Sequence, residues 1–72
     1  MARFKPFAAT NNRNFTATTH VFDTYRELVR KMGFLEDESY DGEVFVTRSR
    51  RGEWGEWFEV WENGKIIRQG WM

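Results

Sequence analysis

The sequence has no cysteine, and it has only one histidine and one proline among its 72 residues. Without cysteine the chain can form neither a disulfide nor a thiolate metal site, and one histidine leaves too few ligands for structural zinc. No apolar run approaches the roughly 18 residues of a membrane span, and the N-terminus lacks a signal-peptide core. We therefore expect a cytoplasmic protein with no cofactor, metal or membrane segment.

Aliphatic side chains are also scarce. Two Leu, two Ile and five Val accompany seven Phe, four Trp and two Tyr. Aromatic residues bury large areas each, which suits a small fold with few core positions. A chain of this length forms a single domain, residues 1–72, and buries only about 60% of the surface that its unfolded form exposes. Self-association into a homodimer is one way in which such a chain gains stability.

Opposite charges balance over the whole chain but not along it. The net charge is zero, so no general attraction to nucleic acid is expected. Residues 1–35 have six basic and two acidic side chains, whereas residues 36–72 have five basic and nine acidic ones. Five of these acids lie in Glu36–Glu43, which we interpret as a solvated loop. The alternative is an acidic surface that meets a basic partner.

The N-terminal segment predicts a β-hairpin. Arg3 to Ala9 reads as a first strand, with Pro6 at an edge or a bulge because proline cannot donate a ladder hydrogen bond. Residues 10–14 contain three Asn and predict a turn. Phe15–Val21 alternates and is rich in β-branched residues, which predicts a second strand.

The next segment predicts an α-helix over Asp23–Gly33. Its apolar residues recur at i, i+3, i+4 and i+7, the spacing of one helical face. These residues are Tyr25, Leu28, Val29 and Met32. Asp23 or Thr24 is the predicted N-cap, and Gly33 is the predicted C-terminal cap.

The C-terminal half predicts three more strands. They are Glu43–Arg50, Trp54–Glu62 and Lys65–Met72, joined by turns at Arg51-Gly52 and Asn63-Gly64. Asn-Gly is the strongest short signal for a two-residue hairpin turn. The predicted fold is therefore α+β, a single small domain in which an antiparallel sheet of about five strands, in the order ββαβββ, has one helix packed on one face.

The Asn63-Gly64 turn also predicts the pairing of the last hairpin. The predicted pairs are Glu62 with Lys65, Trp61 with Ile66, Val60 with Ile67, Glu59 with Arg68, Phe58 with Gln69 and Trp57 with Gly70. Because side chains alternate along a strand, one face presents Phe58, Val60 and Ile67, and the other presents Trp57, Trp61 and Ile66. If Arg51-Gly52 is also a two-residue turn, Phe45 joins Phe58 on the first face, and Val44 and Val46 join the tryptophans on the second. One helix covers only one of these faces.

We expect the helix to cover the face that contains Phe45 and Phe58. The tryptophan face would then meet a partner, the N-terminal segment or a second copy of the chain. The alternative is that the tryptophans belong to the core. Tryptophan and arginine are enriched at interface hot spots, which favours a protein-binding surface. Its predicted residues are Trp57, Trp61, Arg48, Arg50, Arg51, Arg68 and Glu59.

Catalysis has little support in the sequence. His20 lies in a predicted strand and has no serine or cysteine in a recognisable nucleophile motif. Glu56 and Glu62 share a face of one strand, but surface ion pairs explain them better than an acid–base pair. We expect a protein that is not an enzyme.

Nucleic-acid binding is the second hypothesis. Arg48, Arg50 and Arg51 lie beside the tryptophans, and arginines next to exposed rings can bind single strands by neutralising phosphates while the rings stack on bases. Four glutamates in the neighbouring strand weaken that attraction.

One strand, a helix and three further strands follow one another over Phe15–Val21, Asp23–Gly33, Glu43–Arg50, Trp54–Glu62 and Lys65–Met72. This order, with its Asn-Gly hairpin and aromatic last strand, resembles that of small phage-encoded anti-CRISPR proteins directed at type I surveillance complexes. The resemblance rests on this order of elements and covers most of the chain. It implies a stoichiometric inhibitor in the host cytoplasm that docks on a Cas subunit and blocks target-DNA binding. No family residue carries over to a position of this chain.

Overall fold

A five-stranded antiparallel sheet with one helix forms the fold, which confirms the predicted α+β class. The computed structural model describes residues 5–13, 16–49 and 57–71. In chain order the elements are β1 (Phe7–Arg13), β2 (Thr16–Phe22), α1 (Tyr25–Glu38), β3 (Glu43–Arg48), β4 (Trp57–Glu62) and β5 (Lys65–Trp71). The strand order across the sheet is β2-β1-β3-β4-β5. In the part of the chain described, no helix is long and apolar enough to cross a membrane.

The helix begins as the sequence predicts but ends later. Thr24 is the N-cap, and its Oγ1 accepts a hydrogen bond from the backbone N–H of Glu27 at 3.2 Å. The predicted end at Gly33 is wrong, because the helix continues to Glu38. Leu35 extends the buried stripe of Leu28 and Met32 by one more turn, and burial of this side chain favours continuation past the glycine.

Gly33 therefore weakens a helix interior, and its replacement by alanine should stabilise the protein. The glycine is exposed, and a Cβ added there would meet no atom within 4 Å. Alanine is favoured over glycine by about 0.8–1 kcal/mol in a helix interior. Chemical denaturation of Gly33→Ala should show a higher midpoint with an unchanged slope. A Gly42→Ala variant is the control that should lose stability, since Gly42 has a positive φ of 74°.

The acidic segment Glu36–Glu43 is not simply a solvated loop. Its first three residues complete the helix, and both oxygens of Glu36 accept the backbone N–H of Gly64 at 2.9 and 3.1 Å. Asp41 Oδ1 accepts hydrogen bonds from Ser39 Oγ and the Glu43 N–H, and these bonds lower the pKa of Asp41. Much of the acidic run thus holds the connection between helix and sheet in place.

The N-terminal hairpin is displaced along the chain from its predicted position. β1 runs to Arg13 and includes most of the predicted Asn turn, and β2 begins at Thr16; residues 14–15 lie outside the described residues. Asn11 explains this displacement. Its side chain is buried on the helix side of the sheet and donates from Nδ2 to the carbonyl of Leu35 at 3.1 Å.

The core lies between the helix and the face that contains Val44, Val46 and Trp61. Its buried members are Ala9, Leu28, Met32, Leu35, Val44, Val46 and Trp61, with Phe7 and Phe22 packed against them. The expectation that the helix covers Phe45 and Phe58 is therefore wrong. The helix connects β2 to β3, which lie on either side of β1 and run parallel to each other. Such a crossover has a strongly preferred hand, so the strand order determines the covered face.

The predicted hairpin pairing is correct only next to the turn. Glu62 pairs with Lys65 and Trp61 with Ile66, but a bulge between Val60 and Trp61 shifts the rest by one residue. The observed pairs beyond it are Val60 with Arg68, Glu59 with Gln69, Phe58 with Gly70 and Trp57 with Trp71. Glycine fits opposite Phe58, because a Cβ on Gly70 would lie 3.2 Å from the phenylalanine ring.

The other pairing, between β3 and β4, differs by two residues from the one that a two-residue turn at Arg51-Gly52 would give, in which Phe45 faces Phe58. Phe45 pairs with Val60 rather than with Phe58. Because the difference is even, each side chain still lies on its predicted face. Phe45 and Phe58 stack on the face without the helix, with ring centroids 5.8 Å apart and planes at 20°. The predicted turn at Arg51-Gly52 and the start of its strand at Trp54 lie outside the described residues.

Candidate aromatic groove

The carboxylate of Glu59 is the most constrained polar group on the helix side of the sheet. Glu59 is 7% exposed. Its Oε1 accepts hydrogen bonds from Tyr25 Oη at 2.8 Å and from Trp61 Nε1 at 2.9 Å, and its Oε2 accepts from Trp57 Nε1 at 3.2 Å. A buried acid is therefore held by three aromatic donors.

Strand alternation explains why these donors meet. Trp57, Glu59 and Trp61 are two residues apart, so their side chains project from the same face of β4. Tyr25 reaches them from the first turn of the helix. The carboxylate thus joins the start of α1 to β4 across 34 residues of sequence.

Tyr25 acts as a hydrogen-bond donor in this cluster. Its partial burial, its hydrogen bond to Glu59 and the negative charge of that carboxylate all disfavour the phenolate, in that order of effect, and raise the pKa of Tyr25 well above its ordinary value. The phenol therefore keeps its proton at any physiological pH.

A loss of stability at alkaline pH follows from the raised pKa of Tyr25. In the unfolded chain a tyrosine ionises near pH 10, whereas folded Tyr25 retains its proton. This contribution to stability is complete below about pH 10 and is lost as the pH rises above that value. Denaturation midpoints measured from about pH 8 to 11.5 should fall more steeply for wild type than for Tyr25→Phe. Equal slopes for the two proteins would contradict this assignment.

A groove opens beside the carboxylate, with a volume of about 530 Å³. Its lining residues are Phe7, Tyr25, Val46, Arg48, Trp57, Glu59 and Trp71. Trp57 and Trp71 meet edge to face with centroids 4.8 Å apart, and Phe7 and Tyr25 lie 5.8 Å apart with planes at 59°. Four aromatic side chains thus surround one buried acid.

The position of the helix leaves this groove open. The helix lies over β1, β2 and β3, and its first residue reaches only the nearer part of β4. Trp71, on the edge strand β5, is 65% exposed. The exposed side chain of Arg48 lies between Phe7 and Trp57 in the sheet register and is the one basic group among the described residues of the lining.

Three of the seven predicted partner-binding residues meet in this groove. They are Trp57, Glu59 and Arg48. Trp61, expected to be exposed, is instead 8% exposed and belongs to the core. Arg68 pairs with Val60 on the opposite face. Arg50 and Arg51 lie outside the described residues.

Sequence reasoning missed Phe7, Tyr25 and Trp71 as groove residues. The sequence places Tyr25 in the apolar stripe of the helix, but the residue directly follows the N-cap and so lies at the end of that stripe. Trp71 lies opposite Trp57 only because of the bulge, for which the sequence has no local signal. Phe7 lines the groove because β1 lies next to β3, and the sequence pattern does not indicate that these two strands are neighbours.

The described residues contain no cluster of three or more His, Asp or Glu side chains placed to hold a metal ion. His20, the one histidine, lies on β2 opposite Ala9 and lines a separate cavity of about 310 Å³. The groove therefore offers rings, one carboxylate and one guanidinium as its chemistry.

Comparison of the chain with models of protein families, with curated proteins and with solved structures finds no match. The function of the groove is therefore argued from its own residues.

Proposed function

We propose that this chain is a non-enzymatic binding module and that the aromatic groove is its binding site. The observation that supports this proposal is a groove open to solvent whose described lining combines a buried carboxylate with four aromatic side chains. Ligand sites are typically concave, largely apolar and fitted with a few placed polar groups. Tryptophan, tyrosine and arginine are the residue types that contribute most binding energy at protein interfaces.

The partner that we propose is a host protein complex. The order of elements resembles that of small phage-encoded anti-CRISPR proteins, and this resemblance suggests occlusion of a functional surface, such as the DNA-binding surface of a Cas surveillance complex. A small rigid domain with an aromatic groove suits stoichiometric docking, because little conformational freedom is lost on binding.

Affinity capture with matched variants tests the proposal. Trp71 and Phe34 are both 65% exposed, but only Trp71 lines the groove. Trp71→Ala should abolish capture of any partner that wild type retains from a host lysate, whereas Phe34→Ala should leave it unchanged. Both variants should remain folded, as judged by thermal denaturation, because neither side chain belongs to the core. Equal capture by wild type and Trp71→Ala would refute the groove as the binding site.

Nucleic-acid binding is the second candidate, and the open face of the sheet is the surface that favours it. Phe45 and Phe58 stack there, and Arg68 lies next to Val60 on the same face. Rings on an open sheet beside a cation can stack on bases. However, Asp41 and Glu43 line the same depression as Arg68, which weakens attraction to phosphates.

Titration with single-stranded and double-stranded DNA at about 50 and 200 mM salt tests this candidate. Binding through the open face should weaken at the higher salt and be lost in Phe45→Ala. Trp71→Ala is the matched control, since this side chain lies on the other face and should not affect DNA binding. An absence of binding at the lower salt concentration would eliminate the candidate.

A further inference from the structure

The negative charge of Glu59 has no positive partner among the described residues. Its three hydrogen-bond donors are a phenol and two indoles, which are neutral groups. Removing a carboxylate from water is costly unless a cation or a full set of hydrogen bonds compensates for it. The carboxylate at the floor of the groove is therefore a negative charge that no cation among the described residues contacts.

The aromatic walls reinforce this preference for a cation. Ring faces are electronegative, and an ammonium or guanidinium group within about 6 Å of a ring centroid is attracted to them. Phe7, Tyr25, Trp57 and Trp71 supply four rings around the same space. A carboxylate and several rings around one opening have the composition of sites that recognise ammonium groups.

The hydrogen-bond capacity of Glu59 distinguishes between types of cation. An ionised carboxylate has about four lone-pair positions. Oε1 already accepts two hydrogen bonds, from Tyr25 and Trp61, and Oε2 accepts one, from Trp57. Among the described residues these donors leave one position on Oε2. A guanidinium binds best with two parallel bonds to both oxygens, whereas an ammonium group needs only one.

We propose that the groove receives the ammonium group of a lysine side chain presented by a protein partner. This inference rests on the proposed function of the groove as the binding site. The ammonium group donates one hydrogen bond to Glu59 Oε2, and its apolar stem packs against the rings at the mouth of the groove. Charge complementarity and the single vacant lone pair both favour lysine over an acidic or a neutral side chain.

Arg48 should oppose the binding of a lysine side chain in the groove. It is exposed, lines the groove and carries the same charge as the incoming lysine. Its replacement by a neutral side chain should therefore strengthen the binding of an ammonium group. If the groove instead bound an acidic group through Arg48, the same replacement would weaken binding. The sign of this change separates the two possibilities.

Nuclear magnetic resonance titration with lysine analogues tests the inference without a partner. The probe is Nα-acetyl-lysine methylamide, and the matched control is the same compound acetylated at Nε, which keeps the stem but removes the charge. The indole N–H signals of Trp57 and Trp71 should shift with the charged probe. The acetylated compound should bind about tenfold more weakly, the loss expected for one cation–π contact and one charge-assisted hydrogen bond.

Three variants extend the test. Glu59→Gln should weaken binding of the charged probe about tenfold by removing the charge. Arg48→Gln should tighten it about twofold, an effect typical of an exposed like charge. Trp71→Leu removes an exposed ring without touching the core, and it should weaken binding severalfold even if Glu59→Gln fails to fold.

The outcomes separate this inference from the proposed function. Equal binding of the charged and acetylated probes would overturn the lysine assignment while leaving the groove as a binding site. The lysine assignment would also be overturned if Nα-acetyl-glutamate methylamide bound more tightly than the lysine probe and Arg48→Gln weakened that binding. No shift with any probe also refutes the lysine assignment, and the proposed function then depends on whether Trp71→Ala loses the captured partner.

Discussion

Replacing Trp61 with alanine should cost the protein about 3–5 kcal/mol of stability, the usual loss for a buried tryptophan. Trp61 is 8% exposed, belongs to the core beneath the helix and donates its indole N–H to Glu59. Total stability is roughly 0.05–0.15 kcal/mol per residue, so a chain of 72 residues has about 4–11 kcal/mol. At the lower end of this range the variant should therefore be largely unfolded, and at the upper end it should stay folded with about 6–8 kcal/mol of stability.

Circular dichroism and chemical denaturation of Trp61→Ala would measure this loss. Trp71→Ala is the control, since it removes the same side chain from a position that is 65% exposed. Trp61→Phe retains one ring in the core and removes the hydrogen bond to Glu59 together with part of the buried volume. We expect it to lose about 1–3 kcal/mol. A folded Trp61→Ala variant with wild-type stability would contradict the assignment of Trp61 to the core.

Replacing Glu59 with alanine should cost about 2–5 kcal/mol. The substitution removes the acceptor of Tyr25, Trp57 and Trp61 at once, and each buried donor left without a partner costs about 1–3 kcal/mol. The lower part of that range allows for water entering the groove and satisfying the two more exposed donors. Equilibrium denaturation in urea would measure the loss.

Glu59→Gln is the informative comparison for this site. Glutamine has almost the same shape, and its carbonyl oxygen can still accept from Tyr25 and Trp61. Its amide nitrogen, however, would face the indole N–H of Trp57, placing donor against donor. We expect an intermediate loss of about 1–2 kcal/mol. If Glu59→Ala were as stable as wild type, the carboxylate would have no role in holding α1 to β4.

The number and order of the elements and the side-chain faces of β3 and β4 could be predicted, because they depend on local patterns. Alternation along β3 and β4 assigns Val44 and Trp61 to one face and Phe45 and Phe58 to the other, whatever the exact register, provided that the shift is even. The N-cap at Thr24 is equally local. These features need no knowledge of which strands are neighbours.

The covered face and the groove could not be predicted, because they depend on long-range arrangement. The helix covers the face of Val44 because β3 lies beside β1, so that α1 crosses from β2 over β1. Nothing in the hairpin pattern encodes that order. The bulge at Val60 likewise brings Trp71 opposite Trp57 without a glycine or other local signal at its own position.

The place of β3 in the sheet also affects how the chain assembles during synthesis. Residues 7–48 contain β1, β2, the helix and β3, and they leave the ribosome before β4 and β5. Until β4 has been synthesised and has paired with β3, β3 is an edge strand whose backbone N–H and C=O groups can pair with a strand of another molecule. The β4–β5 hairpin pairs with this edge and adds Trp61 to the core. The edge of β3 is thus exposed until β4 has been synthesised and has paired with it.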